Sequence, residues 1–294
     1  MFDIITIGSS TVDVFVDTGI HERKNLIAYP VGSKILIKNL HFSTGGGGTN
    51  TAVALSRIGL KVGYIGKIGE DKNGDIILDM LQKERIKFLG KRGKEKTGYS
   101  IILDSKEHNK TILAYKGANN KLKFSDIKIK SLKTKWLYFG SMIDESIKTQ
   151  IKLAKFASKN NIKIAYNPSN YLTKKGLNFL KELIKRTEII VLNKEEAKML
   201  IKNKKLNGVL KGLCKAGPKI VCITDGKNGT YVYDGEYKYT TKPHNIKVVE
   251  RTGAGDAFGS TFVAGIIKKK SIETSIGLGT INSESVITNF GAKE

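Results

Sequence analysis

Arg251-Thr252-Gly253-Ala254-Gly255-Asp256-Ala257-Phe258-Gly259-Ser260-Thr261-Phe262-Val263-Ala264-Gly265 decides how the rest of the chain is read. It reads as a helix from Gly253 to Lys269 with a carboxylate in its first turn. The first four amides of a helix lack partners inside it, and the macrodipole adds partial positive charge, so an anion docks there when no side chain blocks it. Gly253, Ala254 and Gly255 leave that approach open. Asp256 would repel the same anion unless it must take a proton from a nucleophile attacking it. That is the layout of a phosphoryl-transfer site. An ordinary loop-to-helix junction, with Asp complementing the dipole, is written in the same letters, so other stretches must decide.

Upstream, apolar runs alternate with helix-period segments. Ile4 to Gly8, Val62 to Ile65, Trp136 to Gly140, Ile162 to Tyr166, Ile189 to Leu192 and Ile220 to Thr224 read as buried strands. Thr49 to Gly59, Gly74 to Arg85, Ile147 to Asn160, Leu177 to Lys185 and Lys194 to Ile201 read as helices, and a last one runs from Ile272 to Asn289. This alternation predicts an α/β fold with a central, mostly parallel sheet flanked by helices. Ligands of such sheets bind at the carboxyl ends of the strands. Val12 to Val16 with Val31 to Ile37, and Gly98 to Leu103 with Thr111 to Tyr115, are strand-like without crossover helices. They predict a small antiparallel β lid, built from about residues 12–40 and 96–118, on one domain spanning 1–294. Such a lid would keep water from the reaction.

Composition excludes several classes. The chain has 294 residues, 40% of them hydrophobic and 27% charged, and no apolar run approaches the ~18–20 residues of a membrane span. Met1 to Gly8 has no basic region before its apolar run and reads as a first strand, not a signal peptide, which points to the cytoplasm. Cys214 and Cys222 form no Cys-x-x-Cys motif and read as reduced thiols. Histidines stand at 21, 41, 108 and 244, without zinc-site spacing, so a metal should be a hard cation held through oxygen. The net charge of +24 is spread along the chain with no dense basic block, which argues against nucleic-acid binding as the main activity.

Ser43-Thr44-Gly45-Gly46-Gly47-Gly48-Thr49-Asn50 precedes the first predicted helix. The glycines let backbone approach a ligand, and Asn50 offers both a donor and an acceptor, the pairing a hydroxyl-rich ligand needs. Together, the glycine-rich segment ending in Asn50 and the Thr252-Gly253-Ala254-Gly255-Asp256 segment resemble the two signatures of the PfkB carbohydrate kinase family, the ribokinase-like kinases. The resemblance covers essentially the whole chain.

It implies a ribokinase-like fold and an ATP- and Mg²⁺-dependent transfer to the hydroxymethyl group of a small sugar. Asp256 would be the catalytic base, with the Gly253, Ala254 and Gly255 amides as anion hole. Asn193 and Glu196, in Asn193-Lys194-Glu195-Glu196, would orient Mg²⁺ and phosphates through waters; as residue types they equally make a helix capping box. Asp13 resembles the lid-hinge acid that binds sugar hydroxyls, opposite Gly45, Gly46 and Asn50; a solvent-facing edge residue is the plainer reading. Thr224 and Gly226 resemble the nucleotide-site turn, and Asn282 a residue near the adenine. Lid strands in this family often build homodimers.

Departures narrow the acceptor. Glu250-Arg251 stands where many relatives have Asp-Thr, which puts a monovalent-cation site in question. Gly47 replaces the glycine-loop lysine of ribokinases, and no acid appears near Phe139-Gly140-Ser141, which weakens ribose as the strict acceptor. No Arg-bearing segment lies near Tyr166-Asn167-Pro168-Ser169, against fructose and ketodeoxygluconate. Lys116-Gly117-Ala118-Asn119 is shared across subgroups. A nucleoside is the alternative acceptor if Phe15, Ile37 or Tyr99 offers a base a stacking surface. A non-catalytic nucleic-acid-binding or regulatory protein on the same fold is the remoter alternative.

Overall fold

Strands that are apolar at consecutive positions need cover on both faces of their sheet. The computed structural model, which describes residues 1–107, 109–246 and 253–288, provides that cover. From the N-terminus the chain forms β1 (Ile4–Ile7), β2 (Thr11–Asp17), β3 (Asn39–Gly45), α1 (Gly47–Arg57), β4 (Val62–Ile65), β5 (Lys67–Gly69), α2 (Lys72–Lys83), β6 (Lys87–Phe88), β7 (Lys91–Gly93), β8 (Gly98–Asp104) and β9 (Lys110–Tyr115). It continues with β10 (Trp136–Phe139), α3 (Asp144–Lys159), β11 (Lys163–Tyr166), α4 (Asn170–Thr173), α5 (Leu177–Ile184), β12 (Ile189–Asn193), α6 (Lys194–Leu200), α7 (Leu206–Lys215), β13 (Ile220–Thr224), β14 (Thr230–Tyr233) and β15 (Lys238–Thr241). Two helices follow, α8 (Ala254–Ile267) and α9 (Ile272–Ile287).

The main sheet has nine strands in the order β15-β14-β13-β12-β11-β10-β1-β4-β6. Pairing is parallel from β13 to β6, and β14 and β15 close one edge antiparallel. Alternate residues of each strand feed different cores. Ile5, Leu137, Phe139, Ile190 and Leu192 face α3, α5 and α7, whereas Ile4, Tyr138, Ile189 and Val191 face α1, α2 and α8. Because β1 lies between β4 and β10, chain connections run outward on both sides of it, which opens a crevice at the carboxyl ends of β1 and β10.

The four-stranded sheet, in the order β3-β2-β8-β9, corrects the expected lid in two ways. First, it is mixed rather than antiparallel: β2 and β8 pair parallel along Thr11↔Gly98 to Asp17↔Asp104, and only the outer pairs are antiparallel. Both inner strands leave the main body at the same end, so they run the same way. Second, Val31 to Ile37 forms no strand. Asn39–Gly45 pairs with β2 instead, so the lid strands reach to 45 rather than 40. The partner of β2 must deliver the chain directly into α1, and only the segment ending at Gly45 does so. Leu40, Phe42, Leu113 and Tyr115 share one face of this sheet and are exposed.

Candidate active site

A cleft of about 250 Å³ opens at the crevice, lined by Ser9, Gly140, Ser141, Asn167 and Ser169 from strand ends, and by Lys116 and Asn119 beneath the lid. Gly47, Tyr138, Tyr171 and Asp256 also line it. Asp256 sits in the first turn of α8, whose N-cap is Gly253 at φ 85, a left-handed conformation that glycine adopts without a Cβ penalty. A side chain at Gly255 would meet no atom within 4 Å, so the helix start is open to a ligand there. Asn50 Nδ2 donates to Asp256 Oδ2 at 3.0 Å, which ties the starts of α1 and α8 together.

The glycine-rich loop behaves differently from the expectation of open backbone. Gly46 caps α1 at φ 96, and a Cβ there would come within 2.6 Å of the Ser9 carbonyl oxygen. A Cβ on Gly48 would stand 2.6 Å from the Gly8 carbonyl carbon, and one on Gly45 would strike the Asp13 carboxylate. Ser9 O accepts from the Gly48 and Thr49 amides at 3.0 and 3.3 Å, so these two orphan donors of the helix start are already satisfied. Three of the four glycines therefore let chain pack on chain, and only Gly47 lines the cleft, about 3.6 Å from Asp256 Oδ1 when a Cβ is placed on it. Asp13 lies on β2, off the cleft wall, with Oδ1 buried and without a hydrogen bond.

At the end of β12, Asn193 and Glu196 form a capping box: Glu196 N donates to Asn193 Oδ1 at 2.8 Å, and Asn193 N donates to Glu196 Oε2 at 3.0 Å. Burial pushes the Glu196 carboxyl above its ordinary value; the backbone amides of Asn193 and Asn170 oppose this, and the charges of Glu195 and Asp256 add to it. The carboxylates of Glu195, Glu196 and Asp256 thus lie near enough for their charges to act on one another. Thr224 ends β13 with Oγ1 donating to Leu192 O at 3.4 Å. Gly226, at φ 51, has open space where a side chain would stand. Between them Asp225 pairs with Lys194 at 2.6 Å. Asn282 Nδ2 donates to Thr261 Oγ1 at 2.7 Å and to Ala257 O at 3.3 Å, binding α9 to α8. Glu250, Arg251 and Thr252, including the expected cation-site departure, lie outside the described residues.

A family model of the pfkB family carbohydrate kinases matches residues 1–294. The chain belongs to the PfkB carbohydrate kinase family. It is therefore a kinase that transfers phosphate to an alcohol, and a putative ribokinase II from E. coli, 18% identical with a TM-score of 0.85 over 100% of this chain and 95% of that one, is solved with ATP and Mg²⁺. It is 29% identical to the ribokinase of Lactococcus lactis, covering 100% of this chain and 93% of that one. It is 27% identical to the 5-dehydro-2-deoxygluconokinase of Clostridium perfringens, covering 100% and 89%. The Arabidopsis thaliana ribokinase solved with ribose and ATP superimposes with a TM-score of 0.85 at 21% identity, over 99% of this chain and 94% of that one. Within this PfkB frame, Asp256, Gly47 and Asn50 meet at one place, and Asn193, Glu196, Thr224 and Gly226 line up along the ends of β12 and β13.

Sequence reading missed part of the PfkB cleft. Ser9, Ser141, Asn167 and Ser169 each follow a buried strand, and the switch-point rule for parallel sheets was the available signal. Asn119 was read as common to subgroups without a role; it accepts from Ser10 N at 2.9 Å and donates to Ser10 O at 2.7 Å, pinning the turn that carries Ser9. Phe15 and Tyr99, candidates for stacking on a base, stand on opposite faces of the lid sheet, since Phe15 pairs with Ile102 and Val12 with Tyr99. Phe15 packs against His41 with ring centroids 6.1 Å apart. Neither lines the cleft, and Ile37 does not either. Among the described residues, no helix is long and apolar enough to cross a membrane.

Proposed function

We propose that this chain phosphorylates a primary hydroxyl of a small sugar with ATP, using Asp256 as general base. The observation that carries this reading is a carboxylate on the first turn of α8, in the cleft wall, beside an unobstructed helix start at Gly255. The acceptor hydroxyl gives its proton to Asp256 while its oxygen attacks the γ-phosphorus, and the bond to the bridging oxygen of ADP breaks. The Gly253, Ala254 and Gly255 amides face the charge of the moving phosphoryl group. Asn50, donating to Asp256, fixes the carboxylate for this proton transfer.

Asn193 and Glu196 would hold Mg²⁺ through waters, because the capping box engages the only side-chain oxygen of Asn193 and one of the two of Glu196; the ion would offset phosphate charge. The upward push on Glu196 supports the fit, since a divalent cation relieves the repulsion that burial and nearby carboxylates impose. Thr224 and Gly226 would border the nucleotide, with Gly226 leaving room for it. Asn282, committed to α8, would act on the nucleotide only by fixing the helix that faces it.

Asp13 is read as a sugar-hydroxyl ligand delivered by the lid: its buried Oδ1 lacks a donor that a polyol would supply. Asp13→Ala should raise the acceptor KM about tenfold or more, on the scale of a charged hydrogen bond, and leave the KM for ATP unchanged. Equal changes in both constants would count against it. A nucleoside acceptor is the second reading, favoured by Tyr171, whose ring lines the cleft and is 61% exposed. A coupled assay of ribose, fructose, sugar acids, adenosine, cytidine and inosine with ATP separates the two, and no turnover with any of them overturns both acceptor readings. The exposed apolar face of the lid supports a homodimer through that face; a monomer in sedimentation at micromolar concentration would set this aside.

A further inference from the structure

One buried polar group at the cleft has no part in the reading above. Tyr138 is fully buried on β10 yet lines the cleft beside Asp256, and its hydroxyl makes no hydrogen bond. Buried hydroxyls are normally paired, so an unpaired one inside a ligand cleft points to a partner that arrives with the ligand. Its neighbours repeat the pattern. Asn50 Oδ1 and Thr51 Oγ1, buried at the start of α1, also lack hydrogen bonds. Burial alone does not make the case, since Tyr166 is equally buried with an unpaired hydroxyl but stands off the cleft, and Tyr64 donates to Gly8 O at 3.0 Å.

The helix above has been shaped around this hydroxyl. Gly259 lies one turn beyond Asp256 on α8, and a Cβ there would come within 2.8 Å of the Tyr138 oxygen. The next atoms, Val191 Cγ1 at 3.4 Å and Asn167 Nδ2 at 3.8 Å, would tolerate it. Glycine weakens a helix interior relative to alanine, so its position directly over one oxygen is explained by that oxygen.

We propose that Tyr138 is a further catalytic residue, whose hydroxyl donates to the acceptor oxygen that Asp256 deprotonates and so holds that oxygen in line for attack. This rests on the kinase reading of the cleft. Tyr138 keeps its proton throughout: the acceptor proton passes to Asp256, the new oxygen–phosphorus bond forms, and ADP leaves with the electrons of the broken bond. Burial, with the Asp256 charge adding to it, holds the phenol far above its ordinary ionisation range, so it remains a donor at every working pH.

The test is Tyr138→Phe, which removes one oxygen and leaves the ring. Transfer to the acceptor should fall about tenfold or more in kcat, the scale of losing one positioned donor, while the KM for ATP and the melting temperature hold. Gly259→Ala completes the cycle. Alone it should displace the hydroxyl and cut transfer similarly; in the Tyr138→Phe background it should cause no further loss and raise the melting temperature, because alanine is the better helix former. Unchanged transfer in Tyr138→Phe overturns the proposal, as does a fall in melting temperature with a raised KM for ATP alongside the loss of transfer, which marks a structural hydroxyl. A wild-type protein that phosphorylates no acceptor removes the kinase reading and the proposal with it; a loss confined to the variants concerns Tyr138 alone.

Discussion

Asp256→Asn should lower kcat at least about 100-fold with the fold intact, the loss expected when a general base is replaced by a group that cannot accept the proton. The substitution is nearly isosteric, and an asparagine oxygen still accepts from Asn50 Nδ2, so the link between α1 and α8 survives. Circular dichroism and the melting temperature should match the parent chain. The KM for acceptor should change far less than kcat, because the lost interaction belongs to proton transfer more than to ground-state binding. Near-full turnover in this variant would remove Asp256 from the chemistry.

Gly255→Leu should be nearly as damaging by a different route. Among the described residues no atom stands within 4 Å of a Cβ built at this position, and leucine is a better helix residue than glycine. The side chain then stands where a phosphate would meet the start of α8. Turnover should fall about 100-fold or more, on the scale of a lost oxyanion site, with a melting temperature equal to or above that of the parent. A variant that melts lower and still turns over would show that the helix start serves stability alone. The two variants separate proton removal from anion binding, since Asp256→Asn leaves the amides exposed and Gly255→Leu leaves the carboxylate in place.

The main sheet was legible because its strands are buried on both faces. A run such as Ile189 to Leu192 has no polar interruption, and its two sets of alternating residues reach different cores. The lid was less legible. Val31 to Ile37 is more apolar than Asn39 to Gly45, yet strand formation followed the partner: β2 selects the segment that enters α1 through Gly46. The parallel pairing of β2 with β8 joins segments far apart in the chain, so local pattern could not reveal it.

At the site, the letters marked residue types and left the atoms they meet undetermined. Asn193 and Glu196 were read both as metal-directed and as a capping box, and the capping box is present, so a magnesium role would fall to waters and to the Glu196 oxygen outside the box. The four glycines at 45 to 48 looked like access for a ligand and largely serve contacts between neighbouring backbones. Tyr138 was hidden inside the run Trp136 to Gly140, where a tyrosine is indistinguishable from any other core aromatic until its hydroxyl is located.

The double bond pattern between Asn119 and Ser10 carries a wider consequence. A side-chain amide there imitates the exchange of two hydrogen bonds that a neighbouring strand would make, so the chain following β9 is clasped to the turn between β1 and β2. The lid sheet is thereby fastened to the body at its base. The same pair of bonds holds Ser9 in the cleft wall, so the floor of the cleft and the base of the sheet above it are set by one contact.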